Sequence, residues 1–132
     1  MESNSYEDSD IFMELKEGIF YVSVKQDVLV DASVGERLVL ERIKICNGIS
    51  YPVILDVRGA KYWTMNSRNK HMQGNAFDCI SFAAVVLGNK AVKIIWDFAV
   101  KLFPMPIKNK IFVNLEEAQQ WVRAEMEQGN RF

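Results

Sequence analysis

The sequence has 132 residues, 49% of them hydrophobic and 25% charged, and its formal net charge at pH 7 is −1. This length and composition are typical of a single globular domain with a substantial core. The nearly neutral charge excludes a general attraction to nucleic acid or acidic membranes. No apolar run approaches the ~20 residues of a membrane span. We expect a cytoplasmic protein, because the acidic and polar N-terminus does not resemble a signal peptide.

The chain is expected to form one domain with short tails. Residues 1–10 have little apolar surface to bury, which predicts a disordered acidic N-terminal tail. The domain then covers 11–128, and 129–132 form a C-terminal tail. The sequence contains no internal repeat and no linker long enough to separate a second domain.

Five runs have the composition of β-strands: 11–16, 19–25, 52–57, 80–87 and 110–113. The first two meet at Glu17-Gly18, a tight connection that predicts an antiparallel hairpin. The runs 52–57 and 80–87 are apolar without alternation, which is typical of strands buried on both faces of a parallel sheet.

Four segments predict helices: from Asp31 or Ser33 to about Cys46, from Thr64 to about Met72, from Lys90 to Phe103, and 115–126. Asn47-Gly48 predicts a left-handed end to the first helix, and Asn114 predicts an N-cap for the last. Strands separated by helices form parallel neighbours through right-handed crossovers. The expected fold is therefore α/β, with a mixed five-stranded sheet, an N-terminal antiparallel hairpin and about four helices.

This order of elements resembles the STAS-like family, the fold of bacterial anti-sigma-factor antagonists. The resemblance extends over about 11–124 and also includes small Bacteroidetes-type STAS-like proteins of unassigned role. The motifs that carry it are GIFYVSVK at 18–25, NGISYPVILDVRG at 47–59, AAVVLGN at 83–89 and FAVKLFPMPIKNKIFVNLEEAQQWV at 98–122. It implies a STAS-like fold and a function in protein binding.

The resemblance also directs attention to a possible phosphorylation site. Antagonists of this family carry a phosphorylatable serine in an Asp-Ser-Ser-Gly-like turn, whereas the corresponding segment here, 62–69, reads YWTMNSRN and offers only Thr64 and Ser67. A phosphate would add a charge of about −1.5 to −2 at a helix start, which is a physically sensible switch. A threonine at this place also caps a helix without modification. Plain capping is the expected role, with phosphorylation of Thr64 or Ser67 as its alternative.

No catalytic motif stands out in the sequence. His71 is the only histidine, and its spacing from Asp56, Asp78 or Cys79 does not indicate a triad. Cys46 and Cys79 lie in different predicted elements, so we expect two reduced thiols rather than a disulfide framework. Metal-ligand spacings and glycine-rich phosphate loops are missing from the sequence. We therefore expect no enzyme activity, no metal and no cofactor.

Asp56 is the most interesting single acidic residue. It ends the central strand, and ligands tend to bind at the carboxyl ends of parallel strands. Arg58 lies two residues later, so the two side chains can instead pair and brace a turn. The structural role is the expected one, with a ligand-binding role as its alternative.

The predicted helix 90–103 is apolar nearly all round. Its charged residues form one narrow stripe, whereas a surface helix needs an apolar arc of only about 100°. The surplus must be covered by another part of the fold, by a partner or by an apolar ligand.

Two functional hypotheses follow from this helix. The leading one is a non-enzymatic regulatory or scaffolding module that binds a protein partner or self-associates, with Trp96, Phe98, Phe103 and the Asp56–Thr64 segment at the interface. The alternative is a carrier or sensor of a small apolar ligand, such as a lipid, in a pocket between helix 90–103 and the sheet that includes Trp63. Neither hypothesis involves nucleic acid or stable membrane insertion.

Overall fold

The computed structural model describes residues 4–63, 78–89 and 107–129, with the side chains of Tyr62 and Trp63 excepted. Within these ranges the chain forms eight strands and two α-helices. They are β1 (Ser5–Glu7), β2 (Ile11–Lys16), β3 (Ile19–Val24), β4 (Val28–Val30), α1 (Ala32–Cys46), β5 (Tyr51–Asp56), β6 (Ala60–Trp63), β7 (Ile80–Val86), β8 (Lys108–Phe112) and α2 (Leu115–Gly129).

Six of the strands form one mixed sheet in the order β1-β2-β3-β5-β7-β8. The first three are antiparallel neighbours, and β3, β5, β7 and β8 are parallel neighbours. The hairpin between β2 and β3 turns at Glu17 and Gly18, whose φ angles of 55° and 78° lie in the left-handed region. The predicted α/β class, with an antiparallel hairpin leading into a parallel sheet, is confirmed.

The sheet has six strands and not the predicted five, because residues 5–7 are ordered. The prediction of a disordered tail is therefore wrong for these residues. These residues form β1 and pair with β2. Their acidic surroundings are neutralised by cations from distant parts of the chain. Arg37 of α1 pairs with Asp8 and, at 2.7 Å, with Asp10, and Lys25 pairs with Glu7 at 2.6 Å.

The described residues contain two helices where the sequence predicted about four across the chain; the predicted helices 64–72 and 90–103 lie outside the described residues. In α1 the N-cap is Asp31 and not Ser33, since its carboxylate accepts a hydrogen bond of 3.0 Å from the Val34 N–H. Asn47 ends α1 in the expected left-handed conformation. Neither α1 nor α2 has the length and apolar composition needed to cross a membrane.

A second, two-stranded parallel sheet was missed by the sequence analysis. It pairs β4 with β6, directly beyond the carboxyl ends of β3 and β5. Gly59 makes this arrangement possible because the chain passes close to the backbone at the end of β3. A Cβ atom on Gly59 would lie 2.4 Å from the Val24 carbonyl oxygen and 2.5 Å from that of Lys25. The ends of β3 and β5 therefore approach each other closely at Gly59.

The main sheet has an apolar core on each face. Helix α1 packs on one face, where alternate residues of β3 such as Phe20 and Val22 are buried with Leu38. On the other face, Ala118 and Val122 of α2 pack with Ile54 of β5. Asn114 caps α2 as predicted, since its side-chain oxygen accepts a hydrogen bond of 3.1 Å from the Glu117 N–H.

Candidate functional site: a groove between the hairpin and helix α2

Helix α2 covers only part of its sheet face. It packs against β5, β7 and β8, where its buried face meets Ala84 and Val86. Trp121 strengthens this contact through an edge-to-face arrangement with Phe82, with ring centroids 5.6 Å apart. The β2–β3 half of the same face remains beside the helix, and a groove runs between the two.

The groove has a volume of about 460 Å³. We call it the hairpin groove and define it by Phe12, Glu14, Lys16, Tyr21, Ser23, Ile54, Asp56, Gln119 and Arg123. Its floor consists of cross-strand rows, because residues opposite one another on neighbouring strands share a face. One row joins Phe12, Ser23 and Asp56, and the next joins Glu14, Tyr21 and Ile54.

Most polar groups of the hairpin groove are not used by the rest of the described structure. Within residues 4–63, 78–89 and 107–129, no side-chain hydrogen bond or ion pair engages Glu14, Tyr21, Ser23, Gln119 or Arg123. These groups line a concavity whose floor includes Ile54, which is 1% exposed. The groove therefore offers donors, acceptors and charges of both signs beside an apolar surface.

Asp56 lies at one end of the groove but is engaged by its neighbour Arg58. Its Oδ1 accepts hydrogen bonds from the Arg58 backbone N–H at 3.1 Å and from Nε at 2.9 Å. Its Oδ2 accepts one from Nη2 at 2.7 Å. The side-chain hydrogen bonds with Asp56 raise the pKa of the Arg58 guanidinium. The contacts favour the turn-bracing role, while the position of Asp56 leaves it at the rim of the groove.

The other predicted site residues lie wholly or partly outside the description. The side chain of Trp63 lies outside the description, although its backbone belongs to β6. The remaining candidates also lie outside the described residues: Thr64, Ser67, His71, Trp96, Phe98 and Phe103. The same holds for the predicted pocket between helix 90–103 and the sheet.

The sequence contained one signal that could have revealed the groove. Along the second strand of the hairpin, Tyr21 and Ser23 alternate with buried Phe20, Val22 and Val24. A strand with a half-polar face is typical of a sheet face that is not fully covered. The position of α2 could not be read from this pattern, because it depends on contacts between distant parts of the chain.

A second polar cluster holds the N-terminal segment in place. Burial opposes ionisation of Asp8, but hydrogen bonds from the N–H of Asp10, the Tyr6 hydroxyl, the N–H of Ile11 and Arg37 outweigh that effect. Together they lower the pKa of Asp8 well below its usual range. The bond from Tyr6 is 2.7 Å long. This cluster attaches β1 to α1 and is structural in character.

The described residues do not form a group of three or more His, Cys, Asp or Glu side chains that could hold a metal ion. Among the described residues, the hairpin groove is therefore the candidate site, and its polar lining is suited to binding by hydrogen bonds and charge.

Residues 13–125 match the family model DUF7793, a domain of unknown function. The chain belongs to the DUF7793 family. Among solved structures, this DUF7793 chain is similar to an uncharacterised protein of the DUF3478 family from Shewanella loihica PV-4, described as having a SpoIIAA-like fold. The TM-score is 0.58 at 15% identity, and the match covers 89% of this chain and 98% of the other.

The structural match supports the predicted STAS-like fold, since SpoIIAA-like describes the same architecture. At 15% identity it establishes the fold alone. No curated protein matches the sequence. The groove itself is therefore the basis for a functional proposal.

Proposed function

We propose that this DUF7793 protein is a non-enzymatic regulatory module that binds a protein partner through the hairpin groove. The observation that carries the proposal is a set of groove side chains that no hydrogen bond or ion pair engages within the described part of the chain. Glu14, Tyr21 and Arg123 belong to this set, and they lie beside a buried apolar floor. The resemblance to anti-sigma-factor antagonists supports the proposal by analogy, because those proteins act by binding.

The composition of the groove favours a protein surface over a small apolar molecule. Small-molecule sites are usually enclosed and lined mainly by apolar side chains, whereas this groove is open and carries Glu14, Lys16 and Arg123. Charges of both signs favour one orientation of a complementary surface and disfavour others. Tyr21 and Phe12 supply the aromatic contact area that is common at protein interfaces.

Site-specific photo-cross-linking tests the proposal directly. A photoreactive amino acid replaces Lys16 at the rim of the groove, and a matched variant carries it at Lys44, an exposed lysine of α1. Both variants are expressed in the natural host and irradiated, and adducts are identified by mass spectrometry. We expect one discrete protein adduct from position 16 that is missing from position 44. The same adducts from both positions, or none from position 16, would contradict the proposal.

A second copy of the chain is one possible partner, and sedimentation velocity distinguishes it. If the cross-linked partner is this protein, the sedimentation coefficient rises with concentration and the shift is lost in Arg123→Glu. If the partner is another protein, the purified chain remains monomeric and the adduct has a different mass.

A further inference from the structure

The only two cysteines of the chain pack in the same core of the folded protein. Cys46 is the last residue of α1 and is 1% exposed. Cys79 immediately precedes β7 and packs, half-buried, against the same core. Both cysteines pack in the same apolar core, burial and the nearby Cys79 raise the pKa of Cys46, and both thiols are free. A long connection that includes β5 and β6 separates them in sequence.

Neighbouring contacts hold the same two chain segments together. Arg42, one helical turn before Cys46, donates a hydrogen bond of 3.3 Å to the carbonyl oxygen of Asp78, the residue before Cys79. The Cys79 carbonyl oxygen accepts a bond of 3.0 Å from the N–H of Tyr51. The two cysteines therefore lie at a connected junction between the end of α1 and the start of β7.

Cys79 also has an unusual backbone conformation. Its φ angle of 69° lies in the left-handed region, which is costly for a residue that is not glycine. The surrounding junction maintains this conformation. Gly and Asn are the residues that adopt this left-handed conformation most often, but neither carries a thiol.

We propose that Cys46 and Cys79 are a covalent modification site, at which a low-molecular-weight disulfide such as oxidised glutathione converts the thiol pair into a reversible intramolecular disulfide. In the first step, the Cys79 thiolate attacks one glutathione sulfur and releases one glutathione thiolate. In the second step, the Cys46 thiolate attacks the Cys79 sulfur and releases the second glutathione. The protein loses two protons and two electrons, and one oxidised glutathione becomes two reduced molecules.

The order of the steps follows from exposure and ionisation. Cys79 is half-buried and is the more accessible of the two thiols, whereas Cys46 is buried. Burial, together with the neighbouring Cys79, raises the pKa of Cys46 to about 11. Because the thiolate is the attacking species, the closing step is slow at neutral pH and accelerates as pH rises. Oxidation therefore proceeds through a mixed disulfide at Cys79.

The closed form joins α1 to β7 covalently. A disulfide restricts the unfolded chain, and its stabilising effect grows with the length of the closed loop. We expect the oxidised protein to melt about 5–15 °C higher than the reduced protein. In a reducing compartment such a bond is transient, as is typical of redox-responsive pairs. This modification does not depend on partner binding at the hairpin groove.

The test uses the full chain, reduced and then incubated with oxidised glutathione at a series of pH values from 7 to 9. Intact-mass and peptide mass spectrometry follow the reaction. We expect the wild type to form a cross-linked peptide containing Cys46 and Cys79. The rate of closure should rise by roughly tenfold per pH unit, in proportion to the thiolate fraction. A wild type that accumulates mixed disulfides without closing would overturn the proposal.

Two single variants separate the steps. Cys46→Ser should retain one glutathione on Cys79, and Cys79→Ser should remain unmodified because its remaining thiol is buried. Equal modification of both variants would overturn the order of the steps. Circular dichroism checks that each variant is folded, and Cys46→Ala and Cys79→Ala provide substitutes for a serine variant that is not. The wild-type peptide map decides the existence of the disulfide independently of the variants.

Discussion

The two halves of the sheet differ in how their second face is used. In the parallel half, β5 and β7 are buried on both sides, by the α1-side core on one face and by α2 on the other. In the hairpin half, β2 and β3 are buried on the α1 side, but their other face carries Glu14, Tyr21 and Ser23 along the groove. One face of a single sheet thus changes from apolar core to a polar groove over the width of two strands.

One row of residues spans both halves of the sheet. Glu14, Tyr21 and Ile54 are cross-strand neighbours, yet Ile54 is part of the core, whereas Glu14 is half-buried without a polar partner among the described residues. We infer that sequence changes at the hairpin end of the row affect binding and those at the parallel end affect folding.

The largest expected difference in stability is between side-chain truncations at Ile54 and Glu14, the two ends of that row. Ile54→Ala should lower the free energy of unfolding by about 3–4 kcal/mol, because it removes a buried side chain and leaves a cavity. Glu14→Ala should change it by less than about 0.5 kcal/mol. Urea denaturation of both variants measures the difference. Similar losses in both would show that the hairpin half contributes to the core after all.

The connection between the two halves can be broken at Gly59. Gly59→Ala should cost about 2–3 kcal/mol in the free energy of unfolding, because its Cβ would collide with the backbone at Val24 and Lys25. Gly88→Ala is the matched control, since a Cβ at that position has no atom within 4 Å. Chemical denaturation of the two variants provides the measurement. Equal stability of both variants would contradict the tight approach at Gly59.

Binding at the groove should respond to charge reversal. Once the cross-linked partner is identified, Arg123→Glu should weaken its binding by about tenfold, which corresponds to ~1.4 kcal/mol. Glu36→Lys, at an exposed position of α1 on the other face, serves as the control. Calorimetric titration at two salt concentrations measures both effects. Loss of affinity in the control alone would place the interface on α1 instead.

The smallest expected effect concerns acid and the N-terminal strand. The pKa of Asp8 is lowered in the folded state, so its stabilising contribution is complete above the unfolded value of ~4 and declines as pH falls toward the folded value. Asp8→Asn should therefore cost about 1 kcal/mol at pH 7, a figure that allows for solvent screening. The cost should shrink below pH 4.

Urea denaturation at pH 7, 4 and 2.5 follows this change, with Glu36→Gln as the control variant. A cost for Asp8→Asn that stays constant over the whole pH range would show that the Asp8 charge does not attach β1 to α1.

Several features were predictable because they depend on residues close together in sequence. The Glu17-Gly18 turn defines the hairpin, and Asn47 and Asn114 mark helix ends through their own side chains and backbone. The apolar runs of β5 and β7 predicted burial on both faces correctly. In the candidate site, only Asp56 was anticipated, through its place at the end of a parallel strand.

The features that were missed depend on partners far away in the chain. The acidic segment of β1 is ordered because Arg37 and Lys25 neutralise it. The pairing of β4 with β6 requires the close approach at Gly59. Composition and local pattern contain no information about which distant cation or strand will be adjacent.

The sequence by itself determined the element types, the hairpin and the α/β class, because turn geometry, helix capping and hydrophobic periodicity act over a few residues. Tertiary structure alone decided that α2 covers half of its sheet face and leaves the hairpin groove beside it. It also decided that Cys46 and Cys79 pack in the same core. Both outcomes depend on the packing of helices against the sheet, which positions side chains that are distant in the sequence next to one another.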